Sequence, residues 1–258
     1  CHLVQGLPLA LELAAGWTNL LSCTEIAEEI SRNLDFLSLA MADLPERHRS
    51  LRAVFLHSWA LLSPEQRTCY EALSVFRGSF SRSAAMEVAG AFLPLLASLI
   101  DSSMLRRTPS GRYEVLEVLR QYAEGQLATE PEREKSARER HCTTYLAMLQ
   151  RFERALKGPG PDAVDSQLAA LEAIHDDMGN IRAAWRWAVR RELITQMWPA
   201  ALSLALYCEI RSRFRDGLAL FSEAIAAFDR SDHDPTQASP AGVPPAFLGL
   251  LLGIKGEW

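Results

Sequence analysis

Apolar residues recur at helical spacing along nearly the whole of this 258-residue sequence, and one short stretch breaks the pattern. Between residues 51 and 62, apolar side chains fall three and four positions apart, which places them on one face of a helix. The exception is a pair of short β-prone runs, Met104–Thr108 and Arg112–Leu116, separated by Pro109-Ser110-Gly111. A glycine in so short a connection suits a tight turn. The sequence therefore predicts a mainly α-helical fold with one small β-hairpin.

Several helix boundaries are marked by residues that cap helix ends. Ser63, followed by Pro64 and Gln66, has the pattern of an N-cap with a capping box and predicts a helix that ends near Leu73. Ser81 is predicted to cap the next helix, which ends at Gly90. Other helices of the first half are predicted at Thr24–Leu39, with Thr24 as its cap, at Phe92–Ile100 and at Glu117–Leu127.

The second half of the chain is predicted to be helical throughout. A long helix can begin at Thr129-Glu130-Pro131 and continue past Leu149 until the Gly158–Pro161 run breaks it. Four further helices are predicted at Ala163–Ile174, Asp177–Arg191, Ile194–Arg211 and Arg213–Asp229. Paired helices of this length are typical of tetratricopeptide (TPR)-like solenoids, although no clear repeat of about 34 residues stands out. Residues 231–245 have the composition of a mobile loop.

Three segments, in this order, resemble STAND ATPases of the NB-ARC-like class, specifically bacterial regulators of the AfsR and LuxR-like ATPase type. They are GLPLALELAAGW, LPERHRSLRAVFLHSWALLSPEQRTCYEALSVFRGSFS and LLASLIDSSMLRRTPSGRYEVLEVLRQYAEGQLA. The resemblance covers about residues 3–229. It implies that residues 1–44 are the C-terminal helical part of a nucleotide-binding module, that 45–129 are a winged-helix domain acting as an intramolecular switch, and that 130–258 are TPR-like helical repeats.

The resemblance also implies functional positions. In that family the proline of the first segment lies against the bound adenine nucleotide, so Pro8 would inherit this contact with Leu7 beside it. Many members have Met-His-Asp at the end of the second wing strand, where the histidine reaches the β-phosphate of ADP. The matching positions are Val115, Leu116 and Glu117. Leu116 cannot donate a hydrogen bond, so the alternative is that Leu116 is a core residue and Glu117 a carboxylate that caps the helix it begins.

A winged helix raises the question of DNA binding. The helix before the wing, Phe92–Ile100, has no Arg, Lys, Asn or Gln with which to read base edges. The wing has a small basic cluster, Arg106, Arg107 and Arg112, and scattered arginines of this kind are more typical of a solvated face than of a phosphate clamp. We expect this segment not to bind DNA. A DNA-binding winged helix with a helical dimerisation arm and a passive protein-interaction scaffold stay as alternatives.

Catalytic and metal-binding motifs are absent from the sequence. Its five cysteines and six histidines form no CxxC pair and no HExxH motif, and neither GxSxG nor GxxxxGK[ST] occurs. His175 stands beside two aspartates, but we expect Asp176 or Asp177 to cap a helix rather than to bind a metal. We expect no catalysis and no cofactor in this segment alone, with ATP or ADP bound by the parent protein.

The remaining expectations concern surroundings and partners. The chain begins at Cys1 rather than methionine, and we expect it to be a piece of a larger protein. Five scattered cysteines without a disulfide framework favour a reducing cytoplasm, and the lack of an apolar run of ~20 residues argues against a membrane span. A net charge of −5 gives no reason to expect nucleic acid as a partner of the chain as a whole. The expected partners are an upstream nucleotide-binding module and an unidentified protein or small-molecule inducer at the repeats.

Overall fold

The computed structural model describes residues 17–32, 58–158 and 163–231, together with positions 11, 14, 15 and 253. Within these ranges it is mainly helical, with one antiparallel hairpin. The helices are α1 (Cys23–Arg32), α2 (Pro64–Leu73), α3 (Arg82–Ala89), α4 (Leu93–Asp101), α5 (Glu117–Ala128), α6 (Pro131–Lys157), α7 (Ala163–Asp176), α8 (Met178–Arg190), α9 (Ile194–Ile210) and α10 (Phe214–Ser231). The strands are β1 (Leu105–Arg107) and β2 (Tyr113–Val115).

The described residues form two compact units. Unit 1 comprises the residues up to Val75 together with Ser79–Ala137, and unit 2 comprises Phe76–Gly78 and the residues from Arg138 onward. The segment Phe76–Gly78 thus belongs to unit 2, while the chain on either side of it belongs to unit 1. The predicted domain boundaries at residues 44–45 and 129–130 stay predictions.

Two predicted helix starts in unit 1, at Ser63 and Ser81, are confirmed together with their capping hydrogen bonds. The Oγ atom of Ser63 accepts a hydrogen bond from the Gln66 amide at 3.2 Å, and Oε1 of Gln66 accepts one from the Ser63 amide at 2.7 Å, completing the capping box. Ser81 accepts a hydrogen bond from the Ala84 amide at 3.1 Å at the start of α3. Gly90 ends that helix with a φ of 65°, a conformation that favours glycine.

The predicted cap of α1 is wrong. The helix begins at Cys23, so Thr24 lies inside it. The capping pair is Ser22 and Glu25: the Ser22 amide donates to Oε2 of Glu25 at 2.8 Å, and the Glu25 amide donates to Oγ of Ser22 at 3.3 Å. A serine followed three residues later by glutamate satisfies two amides reciprocally, which Thr24 could not do. The predicted end of this helix, Leu39, lies outside the described residues.

The hairpin is confirmed, with shorter strands than the sequence predicted. Leu105 pairs with Val115, and Arg107 with Tyr113. The tight connection is closed by the Thr108 amide, which donates to the Arg112 carbonyl at 2.8 Å, and its glycine has a φ of 79°. The inward side of the hairpin and the buried face of α4 contribute Leu96, Leu99, Leu105, Tyr113 and Val115 to the core of unit 1.

The helices predicted for the second half are confirmed to within a few residues at each end. Within unit 2, α8 packs against α10 through Trp185, whose indole nitrogen donates to the Leu220 carbonyl at 3.1 Å. The Trp185 ring also meets Phe221 edge-on, with 5.5 Å between ring centroids. Burial of such a large aromatic side chain is a major stabilising contribution to this part of the core.

The ends of α8 and α9 are built alike. Glu192 and Ser212 both adopt a left-handed backbone, each with a φ of 53°. The amide of the following residue then reaches back to a carbonyl in the last turn: Leu193 donates to Ala188 at 3.0 Å, and Arg213 to Cys208 at 2.6 Å. Successive helix ends of one kind are compatible with a helical array, and the TPR-like register stays a prediction.

Among the described residues, no single helix has both the length and the apolar character needed to cross a membrane. Helices α3 and α4 meet those criteria only when taken together, and the chain bends by 101° between them. The predicted mobile loop after Ser231 lies outside the described residues. Of the helix predicted at residues 51–62, residues 58–61 are helical and residues 51–57 lie outside the described residues.

Candidate functional site

The positions singled out from the sequence fall in different parts of the chain. Leu7 and Pro8 lie outside the described residues. Val115, Leu116 and Glu117 follow one another at the end of β2 and the start of α5. The arginines of the wing lie on β1 and in the connection to β2.

The residues at the switch-motif position do not fit a nucleotide phosphate. Val115 is 7% exposed and pairs with Leu105 in the hairpin. Leu116 occupies the N-cap position of α5, is half-buried and forms no side-chain capping bond. A leucine side chain has no hydrogen-bond donor, and a carboxylate at the next position repels a phosphate. No step of a mechanism can therefore be assigned to a nucleotide here.

Glu117 is the first residue of α5, as the alternative interpretation from the sequence has it, and it also binds an arginine. Its carboxylate accepts two hydrogen bonds from Arg120, at 2.8 and 2.7 Å. Arg120 also donates to Glu124 at 2.6 Å and to the Ser74 carbonyl at 3.2 Å, which joins α5 to the end of α2. Burial alone would lower the pKa of Arg120. The hydrogen bonds from Arg120 to Glu117 and the negative charges of Glu117 and Glu124 raise it by more, so the arginine pKa lies above its ordinary value.

Two of the three wing arginines bind groups of unit 1. Arg106 forms an ion pair with Glu114 on the opposite strand at 2.5 Å. Arg112 donates to the hydroxyl of Ser79 at 2.8 Å and to the Ser79 carbonyl at 3.0 Å. Arg107 is exposed and makes no ion pair or side-chain hydrogen bond within the described part of the chain. Of these three hairpin arginines, Arg107 is therefore the one available to an external anion.

A buried polar cluster in unit 2 was not predicted. Its centre is Asn180, which is 0% exposed. The side-chain oxygen of Asn180 accepts a hydrogen bond from the Arg77 amide at 2.7 Å, and its side-chain nitrogen donates to Oδ1 of Asp177 at 3.1 Å. The same oxygen of Asp177 accepts the Tyr145 hydroxyl at 3.2 Å, and Nε2 of His141 lies 3.5 Å from Oδ1 of Asn180. Buried polar groups that satisfy one another in this way fix a unique arrangement of the backbone.

Aromatic rings pack beside this cluster. Phe76 meets His141 edge-on at 5.3 Å between centroids, and His141 lies 4.8 Å from Tyr145. The backbone at Arg77 approaches α8 so closely that a Cβ atom at Gly179 would lie 2.5 Å from the Arg77 carbonyl oxygen. Position 179 therefore requires a glycine, because any side chain would push the Phe76–Gly78 segment away.

Burial determines the protonation of His141. Burial of the imidazole is the main reason that its pKa is lowered from 6.5 to about 3. The positive charges of Arg77 and Arg138 lower the pKa further, whereas the hydrogen bond to Asn180 raises it. At neutral pH the ring is therefore uncharged. It can serve as a packing residue and hydrogen-bond partner, but not as a cation for an anionic ligand.

The predicted capping role of the aspartates beside His175 is wrong. Asp177 occupies the N-cap position of α8 but makes no capping bond with its side chain, and Asp176 is the last residue of α7. Asp177 instead binds Tyr145 and Asn180, as described above. His175 lies 3.3 Å from the Tyr207 hydroxyl through Nδ1. Across the residues that the structure describes, no three His, Cys, Asp or Glu side chains come together as metal ligands would.

The comparisons with known proteins point to regulators of transcription. The chain is 29% identical over 238 residues to a Mycobacterium tuberculosis protein named "Putative HTH-type transcriptional regulator", and equally similar to a Mycobacterium bovis protein of the same name. The alignment covers 87% of this chain but 26% of either relative. It is also 29% identical over 171 residues to an uncharacterized protein of M. tuberculosis, covering 62% of this chain and 40% of that protein.

The chain thus spans about a quarter of the length of the regulators that it matches. No family model matches the sequence, and no solved structure matches it.

Proposed function

We propose that this chain is a regulatory segment of an HTH-type transcriptional regulator. The observation that carries the proposal is the alignment to regulators of that description over 87% of the chain. The succession of packed helices in unit 2 supports it, because helical arrays present extended surfaces on which regulators bind ligands and partners. The proposed role needs no catalytic step in this segment.

Within this role, we assign the binding of an inducer to the helices of unit 2. The resemblance to AfsR-type regulators supports that assignment. The buried cluster around Asn180 gives unit 2 a single, well-specified packing of α6, α8 and the Phe76–Gly78 segment. A ligand that favoured a different packing of these elements would have to break this cluster. The difference between its affinities for the two packings would then determine how far it shifts the protein from one to the other.

The resemblance further implies control by ATP or ADP in the parent protein. In this segment the proposal depends on Leu7 and Pro8, because Leu116 and Glu117 do not fit a phosphate. Calorimetric titration of ADP into the whole protein tests this part, with Pro8→Ala as the variant. Weaker ADP binding by the variant supports nucleotide control through this segment, and unchanged binding contradicts it.

The regulatory role itself is tested by transcript profiling. Asn180→Ala is introduced into the whole protein in its host, beside a deletion of the gene and the matched surface variant Arg186→Ala, which removes an exposed ion pair with Glu223. We expect the deletion and Asn180→Ala to alter an overlapping set of transcripts and Arg186→Ala to alter none. A deletion that leaves transcript levels unchanged would contradict the proposal.

A second candidate is direct DNA contact by unit 1. It is favoured by the helix-turn-helix description of the relatives and by the exposed Arg107 on a hairpin that directly follows α2, α3 and α4. Fluorescence anisotropy with a labelled 20-base-pair duplex tests it. If Arg107 contacts DNA, binding should depend on salt, and Arg107→Gln should weaken it. Arg106→Gln makes the same change of charge but should weaken binding less, because Arg106 already forms an ion pair with Glu114.

A further inference from the structure

An open groove of about 480 Å³ lies in unit 1 and is lined by residues of α3, α4 and the hairpin. Its apolar lining comes from Leu93, Ala97 and Ile100, which are spaced at i, i+4 and i+7 and therefore share one face of α4. The buried residues of α4 are Leu95, Leu96 and Leu99, which belong to the core. Helix α4 is thus apolar on a face that the fold of unit 1 leaves open.

The apolar surface continues beyond the groove. Leu93 is 53% exposed, and the neighbouring Phe92 is 44% exposed. Met86, one turn after Arg82 on the same face of α3, is 54% exposed. Single exposed apolar residues need no explanation, but a groove with apolar lining, together with exposed apolar residues next to it in the chain, is typical of a surface that binds a partner.

Two cations also line the groove, beside Gly111 and Tyr113. Arg82 stands at the first position of α3, and Arg107 at the end of β1. Neither makes an ion pair or a side-chain hydrogen bond with the described residues, in contrast to Arg106, Arg112 and Arg120. The groove lining contains no carboxylate from the described part of the chain. An occupant with negative charge would therefore meet two available guanidinium groups, each able to bind a carboxylate with two hydrogen bonds.

We propose that this groove binds a short acidic, apolar peptide segment of a partner protein. Apolar side chains of the peptide pack on Leu93, Ala97 and Ile100, and its carboxylates pair with Arg82 and Arg107. Nucleic acid fits the surface less well, because the residues of α4 that line the groove are all apolar, and a phosphate backbone would leave them uncovered. The inference is independent of the inducer assigned to unit 2.

Selection from a random peptide library tests this proposal, because such a selection requires no candidate partner. A phage-displayed library of 12-residue peptides is selected against the whole chain, and the enriched peptide is measured by fluorescence anisotropy. We expect enriched sequences to combine apolar residues with Asp or Glu. Arg82→Gln and Arg107→Gln should each weaken the peptide by up to about fivefold, and Leu93→Asp by about tenfold or more.

The matched controls are Arg106→Gln, which changes the same charge outside the groove, and Leu96→Ala, which perturbs the core beneath it. Arg106→Gln should leave peptide affinity unchanged, and circular dichroism shows whether each variant is folded. Three results would overturn the proposal: no enrichment, enriched peptides without acidic residues, or affinities equal in Arg106→Gln and Arg107→Gln. A 20-base-pair duplex that displaces the peptide and binds more tightly would assign the groove to nucleic acid instead. Transcript profiling of Asn180→Ala is unaffected by any of these outcomes.

Discussion

The backbone amide of Arg77 donates a hydrogen bond to the side-chain oxygen of Asn180, 103 residues away, at 2.7 Å. The side chain of Asn180 thus holds a segment of backbone that is distant in sequence, and the neighbouring Gly179 lacks the Cβ atom that would clash with that segment. Since Asn180 also binds Asp177, the local structure at the start of α8 and the position of the Phe76–Gly78 segment depend on the same residue.

Gly179→Ala should destabilise unit 2. Alanine favours a helix over glycine by about 1 kcal/mol, but its Cβ would lie 2.5 Å from the Arg77 carbonyl oxygen. We expect a net loss of about 1–3 kcal/mol, because relief of the clash requires movement of packed backbone. Gly125→Ala in α5 is the matched control: nothing lies within 4 Å of its Cβ, so it should be neutral or stabilising. Hydrogen exchange of the α8 amides, and of the α5 amides for the control, measures the two effects. Equal effects of the two substitutions would contradict the close approach at Gly179.

Asn180→Ala should also weaken unit 2, for a different reason. It removes the hydrogen bond from the Arg77 amide and the hydrogen bond to the Asp177 carboxylate, at a cost of about 1–3 kcal/mol. Asn180→Ser is the comparison variant, since a hydroxyl can restore one of the two hydrogen bonds. Urea unfolding followed by tryptophan fluorescence should rank the native chain above Asn180→Ser and Asn180→Ala lowest. An Asn180→Ala chain as stable as the native one would show that water replaces the lost bonds.

His141 should make stability depend on pH below neutrality. Its pKa is lowered by burial to about 3 in the folded chain, against an ordinary value of 6.5. Between these values the unfolded chain binds a proton that the folded chain does not, so stability falls as pH is lowered from about 6.5 toward 3, by at most about 1.4 kcal/mol per pH unit. Above pH 6.5 the residue makes no pH-dependent contribution.

Comparison of the native chain with His141→Gln isolates this effect, because the carboxylates contribute equally to both. We expect the native chain to lose more stability than the variant between pH 6.5 and 4.5, as measured by urea unfolding at each pH. If the stability of both proteins depended on pH in the same way, His141 would be protonated as readily in the folded chain as in the unfolded chain, and its pKa would not be lowered by burial.

Hydrogen bonds between near neighbours in the chain could be predicted from the sequence, whereas those of the buried cluster around Asn180 could not. The Ser63–Gln66 capping box and the Ser81–Gly90 helix could be predicted because their hydrogen bonds join residues three to four positions apart. The partners of Asn180 lie on elements far along the chain, so no spacing in the sequence indicates them. The same limit applies to Asp177, which stands at a helix start but satisfies Tyr145 instead of backbone amides. The Glu117–Arg120 pair had a readable signal, since residues three apart share a helix face.

Three of the four described cysteines should be inert toward thiol reagents. Burial raises the pKa of the Cys69, Cys142 and Cys208 thiols to about 12, so roughly one molecule in ten thousand is a thiolate at pH 8. Cys23 is exposed. We expect a disulfide-forming aromatic reagent to label Cys23 in seconds to minutes and the other three only after denaturation, as followed by mass spectrometry of peptides. Labelling of Cys142 at the rate of Cys23 would show that α6 opens from α8 readily.

Arg120 should contribute more to stability than any exposed arginine of the wing. Residue Arg120 is 8% exposed, and Arg120→Met breaks its ion pairs with Glu117 and Glu124, at an expected cost of about 1–3 kcal/mol. Arg106→Met breaks an ion pair whose arginine side chain is 53% exposed, and should cost less than about 1 kcal/mol because water screens it. Hydrogen exchange of the α2 and α5 amides reports on unit 1 alone. Adding Glu117→Gln to Arg120→Met should recover part of the loss, since it removes one of the two carboxylate charges that Arg120 neutralises in the native chain. A double variant less stable than Arg120→Met would place the contribution of Arg120 in its packing rather than its charge.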